Sequence, residues 1–515
     1  MNRNFFFILL ISFRLSRGAK ILAIFPYQGK SHNIMFEPLS SGLAKAGHSV
    51  DLVSHFPPDE HVPGLNHISL KGTLHFYVNN MTATKALSMK SFVGVMNFIS
   101  RDEPRDLCNL MRLPQLQNIL NTTEKYDVMI TEIFGTNCYL GFAHKLKLPV
   151  IGVISSAMYA WAYGPFFDTS NPSYIPSQLT EFGHRMNFFE RVSNLMTHLG
   201  SVILFHYYDR TVSEPIVKKY IDDLPPLNDL YNDMSLVLVN SHTSIHGARL
   251  KSPAVIDVAG LHINETVDLP EDLESWMNSA KNGVIYFSLG TMIKPETIGS
   301  EKISAICECF AELEDYKVLW KGKMEEMPAG LPPNVKMIQW IPQYAVLRHP
   351  KVKVFVTHGG LMGTLEAIHA GVAIIGIPFF ADQYFNIASY VDRGFAVKVN
   401  YENLDKSTLS NALTSVLTDP KYERNIRHYS KLFKDRPLSP MQEAIYWVNF
   451  IIRNGGNSLK PPVSHLYWFQ YYMIDVILYL TIITILSLLA IFVIFRKLIR
   501  LSCLKNSPAN KIKTS

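Results

Sequence analysis

His358-Gly359-Gly360 stands between an apolar run, Val352 to Thr357, and a segment where Leu361, Leu365 and Ile368 recur at helical spacing. Glycines there let backbone approach a ligand closely. The free N–H groups and positive dipole end of a helix start form a seat for an anion such as a diphosphate. His358 adds a donor to the same anion. Glu366, on the same helix, offers a carboxylate to vicinal hydroxyls such as those of a ribose. Asp382 and Gln383 supply the carboxylate and amide that sugar hydroxyls require. Trp340, at a strand end, presents a flat face on which a base would stack for about 1–3 kcal/mol. Taken singly, each has an ordinary structural explanation: a capping histidine, a solvated acid, a core tryptophan. No G-x-G-x-x-G follows a strand and no G-x-x-x-x-G-K-[ST] occurs, which sets aside dinucleotide redox chemistry and P-loop phosphoryl transfer. No Cys or His cluster has metal-ligand spacing, so no metal site is expected.

Such groups act together only if the chain gathers them, and the intervening pattern shows how. Ile21 to Pro26, a loop Gln28-Gly-Lys-Ser-His32, a helical stretch from Met35 to Ala46 and a strand Ser49 to Ser54 make a βαβ unit. Asp127 to Thr131 and Val150 to Ile154 continue a parallel, doubly wound sheet. Asn171 to Leu250 reads as irregular. A second series runs Val284 to Leu289, Lys317 to Trp320, Val335 to Gln339, Val352 to Thr357 and Val372 to Ile377. In open α/β sheets ligands bind at the carboxyl ends of the strands. Those ends read Ser288-Leu-Gly-Thr291, Lys321-Gly-Lys, Trp340-Ile-Pro-Gln343, Thr357-His-Gly-Gly360 and Pro378 to Gln383, so the polar groups collect along one sheet edge.

The chain has 515 residues, 48% of them hydrophobic, and a formal charge of +6. It is too long for one core and too apolar for disorder, so two domains are expected. Arg496, Lys497, Arg500, Lys505, Lys511 and Lys513 account for the whole excess charge, and the balanced remainder carries no nucleic-acid footprint. Val476 to Phe495 is an uncharged, mostly apolar run, long enough at about 1.5 Å per residue to cross about 30 Å of hydrocarbon. The basic tail after it predicts a single-pass type I protein with the large part lumenal. Arg3 and the apolar run Phe5 to Phe13 predict a signal peptide over residues 1–18. Sequons at Asn80, Asn121 and Asn264 then fall on the lumenal side. Lys511 and Lys513 match a dilysine retrieval pattern, which predicts residence in the endoplasmic reticulum membrane. Cys108, Cys138, Cys307 and Cys309 permit disulfides without demanding one.

The stretch Val356 to Glu366, continued through Gly376-Ile-Pro-Phe-Phe-Ala-Asp-Gln383, resembles the signature of the UDP-glycosyltransferase family, the glucuronosyltransferase-type enzymes of animals. Phe287 to Thr291, Trp340 to Gln343, Pro437 to Arg453 and Trp468-Phe-Gln-Tyr support the likeness, which runs from about residue 20 to 500. Gly363 stands where Ser is common and Ala373 where Pro is usual; neither change removes a functional group. The resemblance implies the α/β GT-B architecture, two facing Rossmann-like domains plus one C-terminal transmembrane helix. The implied segments are 1–18 (signal peptide), 19–266 (acceptor-binding domain), 267–435 (UDP-sugar-binding domain), 436–470 (a returning helix and juxtamembrane segment), 474–495 (transmembrane helix) and 496–515 (cytosolic tail).

By the same resemblance Trp340 stacks on uracil and Gln343 contacts the uridine. Ser288, Thr291, His358, Gly359 and Gly360 hold the diphosphate, Glu366 binds the ribose, and Asp382 and Gln383 bind the transferred sugar. His32 aligns with the family's catalytic histidine. Its partner carboxylate falls on Glu132; a position five residues on, Asp in invertebrate-like members, is here Asn137. The implied reaction is an inverting displacement with His32 as base. It uses no cofactor, a UDP-sugar being the co-substrate. The loop variants favour UDP-glucose over UDP-glucuronate. The implied acceptors are small lipophilic molecules such as phenols, steroids or plant toxins, with Tyr159, Trp161 and Phe166 as candidates for the pocket wall. Homo- and hetero-oligomers are both compatible with the sequence. The alternative reading is a catalytically silent relative acting as a binding or partner subunit.

Overall fold

The computed structural model describes residues 18–323, 330–461 and 466–505. Residues 1–17 of the expected signal peptide and the dilysine pattern at Lys511 and Lys513 lie outside the described residues. The chain divides into one compact unit ending at Leu459 and a second beginning at Lys460.

Within the first unit, seven parallel strands form one sheet: β1 (Lys20–Phe25), β2 (Ser49–Ser54), β3 (Leu65–Ser69), β4 (Val128–Glu132), β5 (Val150–Ile154), β6 (Leu236–Val239) and β7 (Val255–Asp257). Their order is β3-β2-β1-β4-β5-β6-β7. Near-continuous apolar runs such as Ile21 to Phe25 suit strands covered on both faces, and two buried clusters lie on the two sides of the sheet. A second parallel sheet follows: β8 (Gly283–Ser288), β9 (Tyr316–Lys321), β10 (Val335–Ile338), β11 (Val352–Thr357), β12 (Ala373–Gly376) and β13 (Ala396–Lys398), ordered β10-β9-β8-β11-β12-β13. Strand order reverses between β1 and β4 in the first sheet and between β8 and β11 in the second. A crevice opens at the carboxyl ends of strands flanking such a switch point. His32 and Glu132 follow or end β1 and β4; Ser288 and His358 end or follow β8 and β11.

The Pro440–Asn454 helix returns to the first lobe, where Ala444, Val448 and Ile451 join the cluster of Ile21, Met35 and Leu39. Ser439 and Gln442 form its capping box, with Pro440 at the first helical position. A strap also joins the lobes: the Asn79 and Met81 amides donate to the Thr291 and Met292 carbonyls at 2.8 and 3.0 Å, and the Lys294 amide donates to Met81 at 2.9 Å. Cys108 and Cys138 form a disulfide, while Cys307 and Cys309 on the Ser300–Ala311 helix are free.

Two expectations are corrected. The first helix begins at Lys30, not near Met35, so His32 lies in a helical turn rather than a loop. Its opening residues Lys-Ser-His-Asn lack apolar periodicity, and only from Met35 does the pattern show. The stretch 171–250 is not irregular throughout: it contains a 21-residue helix, Phe188–Tyr208, and the strand β6. In the second unit the Ile474–Lys505 helix runs past the apolar stretch through Arg496, Lys497 and Arg500. Its Ile474–Ser502 portion is long and apolar enough to cross a membrane.

Candidate active site

His32 Nδ1 lies 2.5 Å from Glu132 Oε1, so the carboxylate holds that nitrogen as the N–H and leaves the Nε2 lone pair to accept a proton. Ser155, just past the end of β5, donates to Glu132 Oε1 at 3.2 Å and sits 3.1 Å from His32 Nδ1. Glu132 and Ser155 are buried, and the rings of Tyr27 and Phe134 flank the imidazole at 4.5 and 4.9 Å between centroids. Asn137 belongs elsewhere. Its backbone and side-chain amides donate to Asp209 at 3.1 and 3.0 Å, in a spot where burial pushes the Asp209 carboxyl up to about 6. The carboxylate that meets His32 is therefore Glu132.

On the opposite lobe, the Leu361–Ala370 helix starts at Gly360 with no acid in its first turn, so its leading N–H groups and positive dipole end face the cleft uncompensated. Gly359 has φ +88°, and a Cβ there would come within 2.6 Å of Ile387. Gly290 (φ +84°) lies against the His358 ring, where a Cβ would clash. Burial, with help from Lys321, lowers His358 to about 4, so the ring is neutral at pH 7 and offers a neutral N–H. Trp340 is 54% exposed, with Lys321 Nζ 4.7 Å from its ring centroid; that ammonium also donates to the Gly290 carbonyl at 3.0 Å. Burial lowers Lys321 to about 8. Gln343 accepts from the Tyr286 hydroxyl at 3.0 Å and donates to Glu366 at 2.5 Å. Burial raises Glu366 to about 7.

Asp382 accepts from Asn386 at 3.0 Å; burial raises its pKa while Asn386 and the His32 imidazole across the cleft oppose the rise. Gln383 spends its amide oxygen on the Phe379 and Phe380 N–H groups at 2.8 and 3.2 Å, leaving the amide nitrogen for a ligand.

These side chains converge on one cavity of about 340 Å³. His32, Thr291, Trp340, Gln343, His358, Gly360, Glu366, Asp382 and Gln383 all line it. Ser288 and Gly359 do not: Ser288 is fully buried and accepts from the Gly290 amide at 3.3 Å, and the Gly359 amide turns toward Thr357. They shape the loops behind the cavity wall. Of the aromatic candidates only Tyr159 reaches the cavity. Trp161 and Phe166 are core residues, with the Trp161 indole bonded to the Phe134 carbonyl at 3.0 Å. The apolar wall is instead Val95, Phe98, Ile99, Phe134, Leu179 and Met292. Sequence reasoning passed over Ser155, although it stands at the carboxyl end of a strand, and it placed Lys321 at such an end without giving it a role. Among the sequons, Asn121 and Asn264 are exposed, whereas the Asn80 amide is half-buried and donates to Phe76 and His75. Among the described residues no group of three His, Cys, Asp or Glu is placed to hold a metal.

The model of the family described as "UDP-glucoronosyl and UDP-glucosyl transferase" matches residues 66–507. UDP-glucosyltransferase 2 of Dactylopius coccus is 36% identical over 475 residues, 91% of this chain and 90% of that protein. UDP-glucuronosyltransferase 2B15 of Rattus norvegicus is 33% identical over 363 residues, 68% of this chain and 66% of that one. The solved glycotransferase of kitacinnamycin superposes with a TM-score of 0.57 at 18% identity, covering 85% of this chain and 99% of its own. CalG4, the calicheamicin glycosyltransferase, gives 0.55 at 17% with the same coverage. At such identities the structural likeness speaks for the two-lobed GT-B fold. The apolar C-terminal helix, together with kinship to glucuronosyltransferases, points to association with a membrane. The chain belongs to the UDP-glycosyltransferase family and is a glycosyltransferase that takes its sugar from a UDP-sugar donor.

Proposed function

We propose that the chain transfers glucose from UDP-glucose to a hydroxyl of a small lipophilic acceptor by a single inverting displacement with His32 as the base. The carrying observation is the pairing of His32 with Glu132 on one wall of a cavity whose other wall holds Asp382 and the Gly360 helix start. The acceptor oxygen attacks the anomeric carbon, its proton passes to His32 Nε2, and the bond from that carbon to the UDP oxygen breaks. Glu132 stabilises the imidazolium that forms, as the carboxylate of a triad does. Helix N–H groups, His358 and Lys321 balance the charge of the leaving diphosphate, a task done by fixed dipoles and one ammonium without a metal. Trp340 receives the uracil, Glu366 and Gln343 the ribose and uridine, and Asp382 and Gln383 the sugar. Proximity of the two bound substrates supplies much of the rate.

A neutral hexose is favoured because Lys321, the one Lys or Arg among the described residues lining the cavity, is already assigned to the diphosphate. No second cation is left for the C6 carboxylate of glucuronate. The name of the Dactylopius relative, a UDP-glucosyltransferase, supports the same choice. Apolar residues at the first-lobe wall, Val95, Phe98 and Leu179 among them, favour lipophilic acceptors. We place the enzyme in the endoplasmic reticulum membrane with its catalytic part lumenal. The test is competition: the full chain in membranes receives equal UDP-glucose and UDP-glucuronate with a simple phenol. The β-glucoside is expected as product; a glucuronide in excess overturns the donor assignment.

A further inference from the structure

Near the end of β5 the first-lobe wall of the cavity turns from apolar to polar, with Ser155, Ser156, Tyr159 and Gln178 lining it together. Three of the four are turned away from a ligand. Ser155 serves His32 and Glu132. Ser156 donates to the Ala157 carbonyl at 3.0 Å, and the Gln178 amide nitrogen donates to the same carbonyl at 2.8 Å while its oxygen is fully covered. Tyr159 is different: its hydroxyl carries one proton and two lone pairs, so contact with the neighbouring Ser156 leaves capacity for a ligand. Its ring is held still. It stacks on Trp161 at 4.6 Å between centroids with 5° between planes, Trp161 stacks on Phe205 at 5.1 Å, and the Trp161 indole is pinned to the Phe134 carbonyl. This column of three rings runs from the core and ends on Tyr159, so the hydroxyl is placed before a ligand arrives. The Glu132 and Asp382 carboxylates both bear on that hydroxyl, adding to the burial that holds its pKa well above the ordinary phenol value, and His32 bears on Asp382 in turn. Tyr159 thus shares a wall with His32 and Glu132 and looks across the cleft at Asp382. Kept neutral by burial, it offers an O–H and lone pairs without charge, which matches a sugar hydroxyl.

We propose that the Tyr159 hydroxyl bonds to a ring hydroxyl of the transferred sugar, so that the hexose is read from both lobes, by Asp382 and Gln383 on one side and by Tyr159 on the other. The assignment rests on the placement of the sugar at Asp382 in the function proposed above. The anomeric carbon is joined to the diphosphate at the Gly360 helix start and faces the acceptor oxygen beside His32. The rest of the ring then extends toward Asp382, and the first-lobe side chain that meets it there is Tyr159. A lipophilic acceptor laid over Tyr159 would strand the hydroxyl in a dry site, a cost that a sugar hydroxyl avoids. The acceptor is left with Val95, Phe98 and Leu179, which ask for no hydrogen bond. One consequence concerns turnover: UDP, which has no sugar, makes no contact with Tyr159, so the site holds the donor by a bond that the product lacks.

The experiment compares Tyr159→Phe with the parent, both as full chains in phosphatidylcholine bilayer discs. The change removes one oxygen and keeps the column of rings, so the melting temperature is expected to match the parent's. Calorimetry with UDP and with UDP-glucose gives the two dissociation constants, and steady-state kinetics at saturating UDP-glucose gives the KM of a simple phenol. The UDP-glucose constant is expected to rise about 3–10-fold, the worth of one hydrogen bond, with the UDP constant and the phenol KM unchanged. Equal weakening of UDP and UDP-glucose, a raised phenol KM with donor binding intact, or no change in any of the three would each overturn the proposal. Asp382→Asn separates this inference from the reading beneath it. If that variant keeps the parent's ratio of the two constants, the placement of the sugar itself fails; a shifted ratio in Asp382→Asn beside an unchanged one in Tyr159→Phe strikes Tyr159 alone.

Discussion

The Ser155 hydroxyl bonds to His32 and Glu132, and the work assigned to it is to position that pair. Removing its hydroxyl leaves Glu132 free to turn from the imidazole. Ser155→Ala is expected to lower kcat by about tenfold, the worth of a hydrogen bond to a charged group, about 1.5 kcal/mol, with the donor KM unchanged. Steady-state kinetics against both substrates checks this. Glu366 yields a second prediction, with a sign. Burial lifts its pKa from 4.5 to about 7, while Gln343 and Lys321 pull it down. The folded protein thus keeps a proton that the unfolded chain releases, and stability falls as pH rises across that window. Glu366→Gln removes this share of the loss: its melting temperature is expected to decline less than the parent's between about pH 5 and about pH 8. The same change is expected to weaken UDP binding by about 10–100-fold at pH 8, because a charge-assisted bond to a ribose hydroxyl is lost. Calorimetry of UDP binding and thermal melts across pH test both halves. At this scale the sequence was legible wherever a residue type has few uses: a histidine before two glycines, a tryptophan at a strand end. It misled where types have many uses. Trp161 and Phe166 are aromatic residues whose assignment to core or cavity depends on packing alone. Ser155 is too common a residue to be noticed, though its place after β5 was a sufficient signal.

The elements that carry these residues are governed by a few backbone requirements. Gly359 turns the chain from β11 into the helix whose N–H groups face the cleft, with a left-handed φ and no room for a side chain beside Ile387. Gly359→Ala is expected to cost about 1–2 kcal/mol from the conformation alone, and more from the contact. The loss should appear as a lower melting temperature together with weakened UDP binding; a variant as stable and as tight as the parent would contradict the role assigned to the turn. Most strands were readable because strands covered on both faces spell unbroken apolar runs. The edge strand β3 was not, because Leu65-Asn-His-Ile-Ser is mixed and half-exposed. The Phe188–Tyr208 helix, in a stretch whose residue pattern reads as irregular, turns polar Asn194 and Ser201 inward and apolar Phe189, Met196 and Ile203 outward, the reverse of the usual helical pattern. The start of the Lys30–Lys45 helix was hidden by its polar first turn, the turn that carries His32.

On the scale of the molecule, two sheets with reversed strand order set their switch points against each other, and everything chemical lies between them. The strap from Asn79 to Met81 links this crevice from both sides: it bonds to Thr291 and Met292 of the second lobe, and just before it the Tyr77 amide donates to the Gln28 carbonyl at 3.2 Å. The loop before the His32 helix is thereby tied to the loop after β8. Two-lobed architecture was legible from the doubled series of apolar runs; the strap was not, because its bonds are backbone to backbone and leave no mark on residue type. The central claim is that a base from the first lobe meets a donor held by the second. Its most direct test is His32→Ala in the full chain, with UDP-glucose binding measured by calorimetry and glucoside formation by single-turnover assay with a phenol. The account predicts unchanged donor affinity and a loss of transfer of about 10²–10⁴-fold, the worth of a general base. Transfer at the parent rate by this variant would contradict it.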